Sequence, residues 1–181
     1  MAVEAERSDG IVRLRRPRAS DAAPFADAVV RSRDLLHPWI SAPDTADRFR
    51  AMLERVGPAY VPSVLALEES GALVGAFNLS ELVRGNFLSA YLGYYAFKPH
   101  AGRGLMARGL ALLLDFAFED LSLHRVEANV QPTNARSIAL VRAAGFECEG
   151  FSKGYLYIDG DWRDHERWAM RREPYLASRL G

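Results

Sequence analysis

Residues 90–120 constrain this chain more than any other stretch, because they run as a strand, a short loop with two glycines and a strongly apolar helix. Ala90-Tyr91-Leu92-Gly93-Tyr94-Tyr95-Ala96-Phe97 has the composition of a strand and stops before Pro99, which cannot donate to a ladder. From Gly104 to about Asp120, Leu105, Met106, Leu110, Leu113, Leu114 and Phe116 recur at helical spacing and are apolar enough to be buried. Between them lies Ala101-Gly102-Arg103-Gly104. A strand that passes through glycines into a helix N-terminus presents unpaired backbone N–H groups, an arrangement that accepts an anion. Gly102 and Gly104 carry no Cβ where the anion's oxygens must approach, and Arg103 adds a positive charge. A lone Gly-x-Gly also reads as a flexible turn. Its spacing is too short for dinucleotide or Walker-type loops, but the buried helix behind it anchors the loop's exit.

The surrounding pattern is a mixed α/β sheet. Ile11-Val12-Arg13-Leu14-Arg15 alternates as a leading strand, Ser20-Asp21 starts a helix over Ala22 to Arg33, and a second helix opens at Asp44-Thr45 and ends near Gly57-Pro58. Residues 63–67 and 73–79 form a hairpin around Ser70-Gly71, and residues 90–97 follow as a third strand. After the apolar helix come a strand ending at Val130, a short helix over Asn134 to Ala144 with Gly145 as its left-handed C′ residue, and two strands flanking the Asp159-Gly160 turn. At 181 residues, with no repeat or interdomain linker, residues 1–181 read as one domain whose first ten residues are frayed. Twenty-three basic and twenty-three acidic residues give no net charge, which argues against a nucleic-acid partner. No apolar run reaches membrane-spanning length, and the start of the chain lacks the features of a signal peptide. A cytoplasmic location is the expectation. The one cysteine, Cys148, excludes an internal disulfide and reads as a buried core residue. Trp162, Trp168 and Tyr157 sit at strand periodicity and read as packing. His37, His100, His124 and His165 show no ligand spacing, so no metal is expected.

A second segment carries chemistry. Gln131-Pro132-Thr133-Asn134-Ala135-Arg136-Ser137 places an Asn and a Ser three residues apart, on one face if helical. The carboxamide can hold a polar chain and the hydroxyl can give a proton to a departing thiolate. Equally, Thr133 or Asn134 caps the helix and Ser137 is an ordinary helix residue.

Together these segments resemble the GNAT N-acetyltransferase superfamily, in particular its RimJ/RimL-like branch. The resemblance covers nearly the whole chain and is densest from Val74 to Met170. It rests on Asn78-Leu79-Ser80, Val83-Arg84-Gly85-Asn86-Phe87, Tyr91-Leu92-Gly93-Tyr94, Gly102-Arg103-Gly104-Leu105-Met106 and Pro132-Thr133-Asn134-Ala135-Arg136-Ser137. Gly145-Phe146-Glu147, Glu149-Gly150, Tyr155-Leu156, Asp159-Gly160 and Trp162-Arg163-Asp164-His165 follow in the same order. It implies a GNAT-like fold of about six to seven mostly antiparallel strands, a splayed central parallel pair (residues 90–97 and 123–130) and four helices. It implies acetyl-CoA as co-substrate. Ala101, Gly102, Arg103, Gly104, Leu105 and Met106 would then wrap the pyrophosphate, Ala96 and Phe97 would offer backbone groups to the pantetheine arm, Asn134 would hold that arm, and Ser137 would protonate the leaving thiolate. Two positions depart from the family. Ala101 stands where Gln or Arg usually opens the phosphate loop, and Leu156 stands where RimL-like enzymes carry a glutamate proposed as base.

The acceptor must be a neutral primary amine. An α-amino group titrates near ~7.7–8.0 and a lysine near ~10.4, a gap worth roughly 3.4 kcal/mol. A site without a well-placed carboxylate therefore suits an α-amine. Glu127, on the strand face shared with Asn129, is a candidate catalytic base and equally a structural partner for Arg125 or Arg142; Glu81 is a weaker candidate. Trp39, Asn78, Arg84, Tyr94 and Asn129 are expected to line the acceptor side, with Trp39 also readable as a core plug. The expected activity is acetyl transfer to a primary amine, the RimJ resemblance pointing to the N-terminal alanine of a ribosomal protein. The alternatives are a small-molecule amine acetyltransferase (for an antibiotic, polyamine or amino acid) and a non-catalytic acyl-CoA-binding module, which would not need Ser137. The chain is expected to act as a monomer or homodimer, away from membranes.

Overall fold

A computed structural model describes residues 6–180, the side chain of Leu180 excepted. Its strands are β1 (Arg7–Ser8), β2 (Val12–Arg15), β3 (Tyr60–Leu67), β4 (Leu73–Val83), β5 (Ser89–Ala96), β6 (Arg125–Val130), β7 (Glu147–Ile158) and β8 (Asp161–Arg171). They form one sheet in the order β1-β2-β3-β4-β5-β6-β8-β7. Every neighbouring pair is antiparallel except β5 and β6, which run parallel. The helices are α1 (Ala22–Arg31), α2 (Arg33–Leu36), α3 (Ala46–Glu54), α4 (Leu105–Asp115), α5 (Ala135–Ala143) and α6 (Arg172–Leu180). The expected strand–helix order is present, with β1, α2 and α6 added to it. β1 lies in the segment expected to be frayed, of which residues 1–5 fall outside the described residues. The apolar helix ends earlier than expected: after Asp115 the backbone widens into a π-helical turn over Phe116–Asp120.

Local chemistry explains the element ends. Thr45 caps α3 by accepting from the Arg48 N–H. Gly145, at φ 89°, ends α5 in a Schellman motif: Phe146 N–H bonds the Val141 carbonyl, Gly145 N–H bonds that of Arg142, and Phe146 and Val141 are both buried. Asp159 and Gly160, both at positive φ, close the β7–β8 hairpin with Tyr157 opposite Trp162.

The core has two parts, one on each face of the sheet. Leu110, Leu113 and Leu114 of α4 pack with Leu14, Phe77, Leu79, Val126 and Ala128. Gly109 lets α4 approach this closely, because a Cβ there would lie 2.5 Å from Leu65 and 2.9 Å from Phe77. On the other face Phe25 of α1 and Phe49 of α3 meet Tyr95 and Phe97. The unforeseen α6 is tied down by Tyr175, whose hydroxyl donates to Asp115 at 2.9 Å.

Two packing expectations need correction. Cys148 is exposed: it lies on the edge strand β7, none of whose residues is buried. Trp168 is buried, but Trp162 and Tyr157 are largely exposed and pack edge-to-face on each other across the hairpin.

The start of α1 is held by Asp21, which accepts two 2.8 Å bonds from Arg15 and a 2.7 Å bond from the Arg18 N–H. Burial works to raise the carboxyl pKa, but these bonds outweigh it and hold the group below its ordinary value. Its stabilising contribution is therefore complete above the unfolded value of about 3.9 and is lost as pH falls through the lower folded value. Asp21→Asn leaves Arg15 without its counter-charge and should cost about 3 kcal/mol in urea unfolding. A loss under about 0.5 kcal/mol would show that the pair does not hold α1 to β2.

Candidate active site

The parallel pairing of β5 and β6 is short. It runs through Ser89–Arg125, Ala90–Val126 and Tyr91–Glu127 and then stops, while β5 continues beside β4 as far as Ala96. Beyond Tyr91 the two strands diverge. Phe97 donates its N–H to Val74, so alternation along the strand turns the N–H and carbonyl of Ala96 the other way, toward this gap. Phe97 itself has nothing to offer there: its carbonyl accepts from His100 and Ala101, and its ring is in the core. The expectation for that residue is corrected.

A cavity of about 420 Å³ opens at the divergence. Leu92, Tyr94, Asn129 and Val130 line it from the strands, Asn134 and Ser137 from the start of α5, Trp39 and Ile40 from the loop after α2, and Tyr155, Leu156, Ile158 and His165 from the β7–β8 hairpin. A second cavity of about 550 Å³ lies beneath α3 and shares Ile40, Ser80, Gly93 and Tyr94 with the first.

Within the first cavity, the Tyr94 and Ser137 hydroxyls share a short hydrogen bond. Burial pushes the Tyr94 hydroxyl up to about 12, against the lowering effect of that bond, so it is protonated at neutral pH. Asn134 is the N-cap of α5, its Oδ1 accepting from the Ser137 N–H at 3.2 Å. Capping occupies the carbonyl end of that side chain and leaves its amide NH₂ as donor. Asn129 Oδ1 is buried without a hydrogen-bond partner. A buried acceptor in that state is uncommon and marks a place where a donor belongs.

The loop before α4 has the expected form. Gly102 and Gly104 lie at φ 76° and 75°, with open space where a Cβ would point. Among the described residues, the backbone N–H groups of Gly102, Arg103, Gly104, Leu105 and Met106 have no hydrogen-bond acceptor. Ala101 differs, since its N–H is already bonded to Phe97. The side chain of Leu105 is in the core and that of Met106 packs against it, so only their backbones face the loop. Arg103 is exposed beside His100, whose pKa is lowered by burial and by the charges of Arg103 and Arg31.

Other expected site residues lie elsewhere. Glu127 is bound to Arg125 at 2.6 Å and does not line the cavity; its structural alternative is the one observed. Arg84 is exposed and donates to the Leu121 carbonyl, away from both cavities. Asn78 lines the second cavity, where Tyr60 donates to its Oδ1. Glu81, at φ 50° in a β4 bulge, does line the first cavity. Tyr155 and His165 were not singled out from sequence. They stood within the stretches that carry the family resemblance, with no site role, and the β6–β8 and β7–β8 registers bring them to the cavity. Among the described residues no three His, Cys, Asp or Glu side chains are grouped for a metal, and no helix is long and apolar enough to cross a membrane.

The family profile of the acetyltransferase (GNAT) domain matches residues 12–147. The chain belongs to this family. It is 34% identical over 179 residues to the [ribosomal protein uS5]-alanine N-acetyltransferase of Escherichia coli, covering 93% of this chain and 91% of that one. It superposes on the structure of Mycobacterium smegmatis RimJ in complex with CoA-disulfide with a TM-score of 0.83 and 30% identity, over 93% of this chain and 86% of that one. A probable N-acetyltransferase of Bacillus subtilis, YjcK, is 39% identical over 98 residues, so the match spans about half of either protein (54% of each). This GNAT protein is accordingly an acetyl-CoA-dependent N-acetyltransferase of the RimJ/RimL type.

Proposed function

We propose that this enzyme acetylates the N-terminal α-amine of a protein, with the alanine terminus of a ribosomal protein as its natural acceptor. The observation that carries this reading is the cavity through the β5–β6 gap. Its lining is mainly apolar, with Tyr94, Asn129, Asn134, Ser137 and His165 among its polar groups, and apart from Glu81 it carries no carboxylate. The open, anion-accepting loop lies beyond the end of β5, ahead of α4. The identity to the E. coli uS5-alanine enzyme supports the choice of acceptor.

Acetyl-CoA lies along the gap. The N–H groups of Gly102 to Met106 hold the pyrophosphate, aided by the Arg103 charge. Ala101 contributes neither a side chain nor a free N–H, so the cradle begins at Gly102. The open edge of β5 at Ala96 pairs with the pantetheine arm, and the Asn134 NH₂ donates to it. The amine attacks the thioester carbonyl, the carbon–nitrogen bond forms and the carbon–sulfur bond breaks. Ser137, with Tyr94 bonded to its hydroxyl, gives the thiolate its proton, and the proton the amine loses on forming the amide restores that hydroxyl pair. Trp39, Leu156 and Ile158 make an apolar wall suited to the small side chain beside an N-terminal amine.

The cradle is tested by Gly104→Val. The residue sits at φ 75°, a conformation a β-branched side chain resists, and the new side chain would stand in the anion's space. Calorimetry should show acetyl-CoA binding weakened at least tenfold, about 1.4 kcal/mol; unchanged affinity in a folded variant would remove the loop from the binding site.

The acceptor is tested with two matched peptides, one with a free N-terminal Ala and no lysine, the other N-terminally blocked with one lysine. An α-amine is already partly neutral near pH 8, whereas lysine starts about 2.5 units away. The α-amine peptide should be acetylated at least tenfold faster, with kcat/KM rising toward the amine pKa and then levelling. Acetyl groups found chiefly on lysine, or turnover of small amines with neither peptide modified, would refute the proposed acceptor.

A further inference from the structure

His165 is the one buried histidine among the described residues, 2% exposed, and it lines the cavity from β8. Its Nδ1 lies 2.9 Å from the carbonyl oxygen of Arg163. A carbonyl only accepts, so Nδ1 carries the ring proton and Nε2 the lone pair. On the neighbouring strand Asn129 pairs with Arg167, two residues from His165. Residues two apart on a strand share a face, so Asn129 and His165 are diagonal neighbours on one side of the sheet, with backbones about 7–8 Å apart. One side chain ends in a buried acceptor without a donor and the other in a ring nitrogen with a lone pair. A single amine nitrogen placed between them can give one N–H to each.

We propose that His165 is the base of the reaction: Asn129 Oδ1 accepts one N–H of the attacking amine, and His165 Nε2 removes the other proton as the amine adds to the thioester. The proposal rests on acetyl transfer to an amine within this cavity. The neutral amine's nitrogen bonds the acetyl carbon, and its proton passes to Nε2, giving imidazolium. The carbon–sulfur bond breaks, and the thiolate takes the Ser137 proton. Imidazolium then returns one proton to the hydroxyl pair through solvent, and the products are the amide and CoA thiol.

The surroundings keep the ring in the form this needs. Burial lowers the His165 pKa below its ordinary value, and the Arg163 carbonyl and the Asp164 charge only partly oppose that, so the imidazole is neutral at pH 7. Tyr155 of β7 lies against the ring, at 5.9 Å between centroids. Tyr91 of β5, hydrogen-bonded with Tyr155 and facing Glu127 of β6 and Arg167 of β8, is pushed up to about 12 and adds no charge near neutrality. Glu81 of β4 is the carboxylate that also lines the cavity.

The test is the kcat pH profile with the N-terminal Ala peptide at saturating acetyl-CoA, for wild type, His165→Asn, His165→Ala and Glu81→Gln. His165→Asn should lose ten- to a thousandfold in kcat with KM for acetyl-CoA changed less than threefold, and lose the acid limb that wild type shows below pH 6.5. Imidazole should restore turnover to His165→Ala, and Glu81→Gln should keep the wild-type limb. Wild-type kcat in His165→Asn, no rescue by imidazole, or transfer of the whole effect to Glu81→Gln would overturn the base. If the histidine variants do not fold, ¹⁵N NMR of the wild type decides: an Nδ1-protonated ring titrating below pH 6.5 supports the proposal, and an Nε2-protonated ring refutes it. Small amines turned over in place of the peptide, with the same dependence on His165, would overturn the proposed acceptor and leave the base standing.

Discussion

The structure depends on one incomplete pairing. Among the described residues β5 and β6 are the only parallel neighbours in the sheet, and they hold each other for three residue pairs before parting. Parallel neighbours need a crossover, and α4 supplies it, packing its leucines on the sheet face it crosses. The same crossover forces the chain to leave β5 through the glycine loop, so the gap and the helix N-terminus arise together from one topological choice. Backbone groups along the parted edges cannot satisfy each other. Left buried and unpaired, each would cost about 1–3 kcal/mol, so the gap calls for an extended polar chain. The pantetheine arm of acetyl-CoA, in the proposed placement, is such a chain.

Rigidity around the gap comes from both layers. The Phe25, Phe49, Tyr95 and Phe97 cluster holds the end of β5 from one side, and Gly109 lets α4 close on the other. α5 is fixed at its first turn by Asn134 and at its last by the Schellman turn at Gly145, which sets the position of Ser137 beside Tyr94. The polar pair in the cavity thus sits on regular elements rather than on loops, while the acceptor side takes Trp39 and Ile40 from a connection and Leu156 and Ile158 from an outer hairpin. Fixed chemistry beside a more adaptable rim suits a fold that serves many acceptors.

What was legible in the sequence was local. Thr45, Gly145 and Asp159-Gly160 end or join elements through bonds to residues within a few positions, and the structure has them where capping and turn chemistry place them. The strand–loop–helix unit is likewise contiguous. The misreadings concern distant partners. Cys148 follows a core phenylalanine, but β8 inserts between β6 and β7, and the strand that carries Cys148 becomes an edge. Arg84 is drawn to the carbonyl of Leu121, 37 positions along the chain, whereas Glu127 takes Arg125 on its own strand, the structural partner the sequence already offered. His165 gained a site role only through register: shifting β8 by one residue would turn it to the opposite face. α6 went unforeseen because its anchor, Tyr175 on Asp115, spans 60 positions.

Amide hydrogen exchange with and without CoA addresses the gap directly. Insertion of the pantetheine arm between β5 and β6 should slow exchange at Ala96 and at Gly102 to Met106, while amides of β3, paired on both sides by β2 and β4, stay as they were. CoA binding that leaves Ala96 and the glycine loop unprotected, or that protects residues around the second cavity instead, would contradict the placement of the co-substrate in the β5–β6 gap.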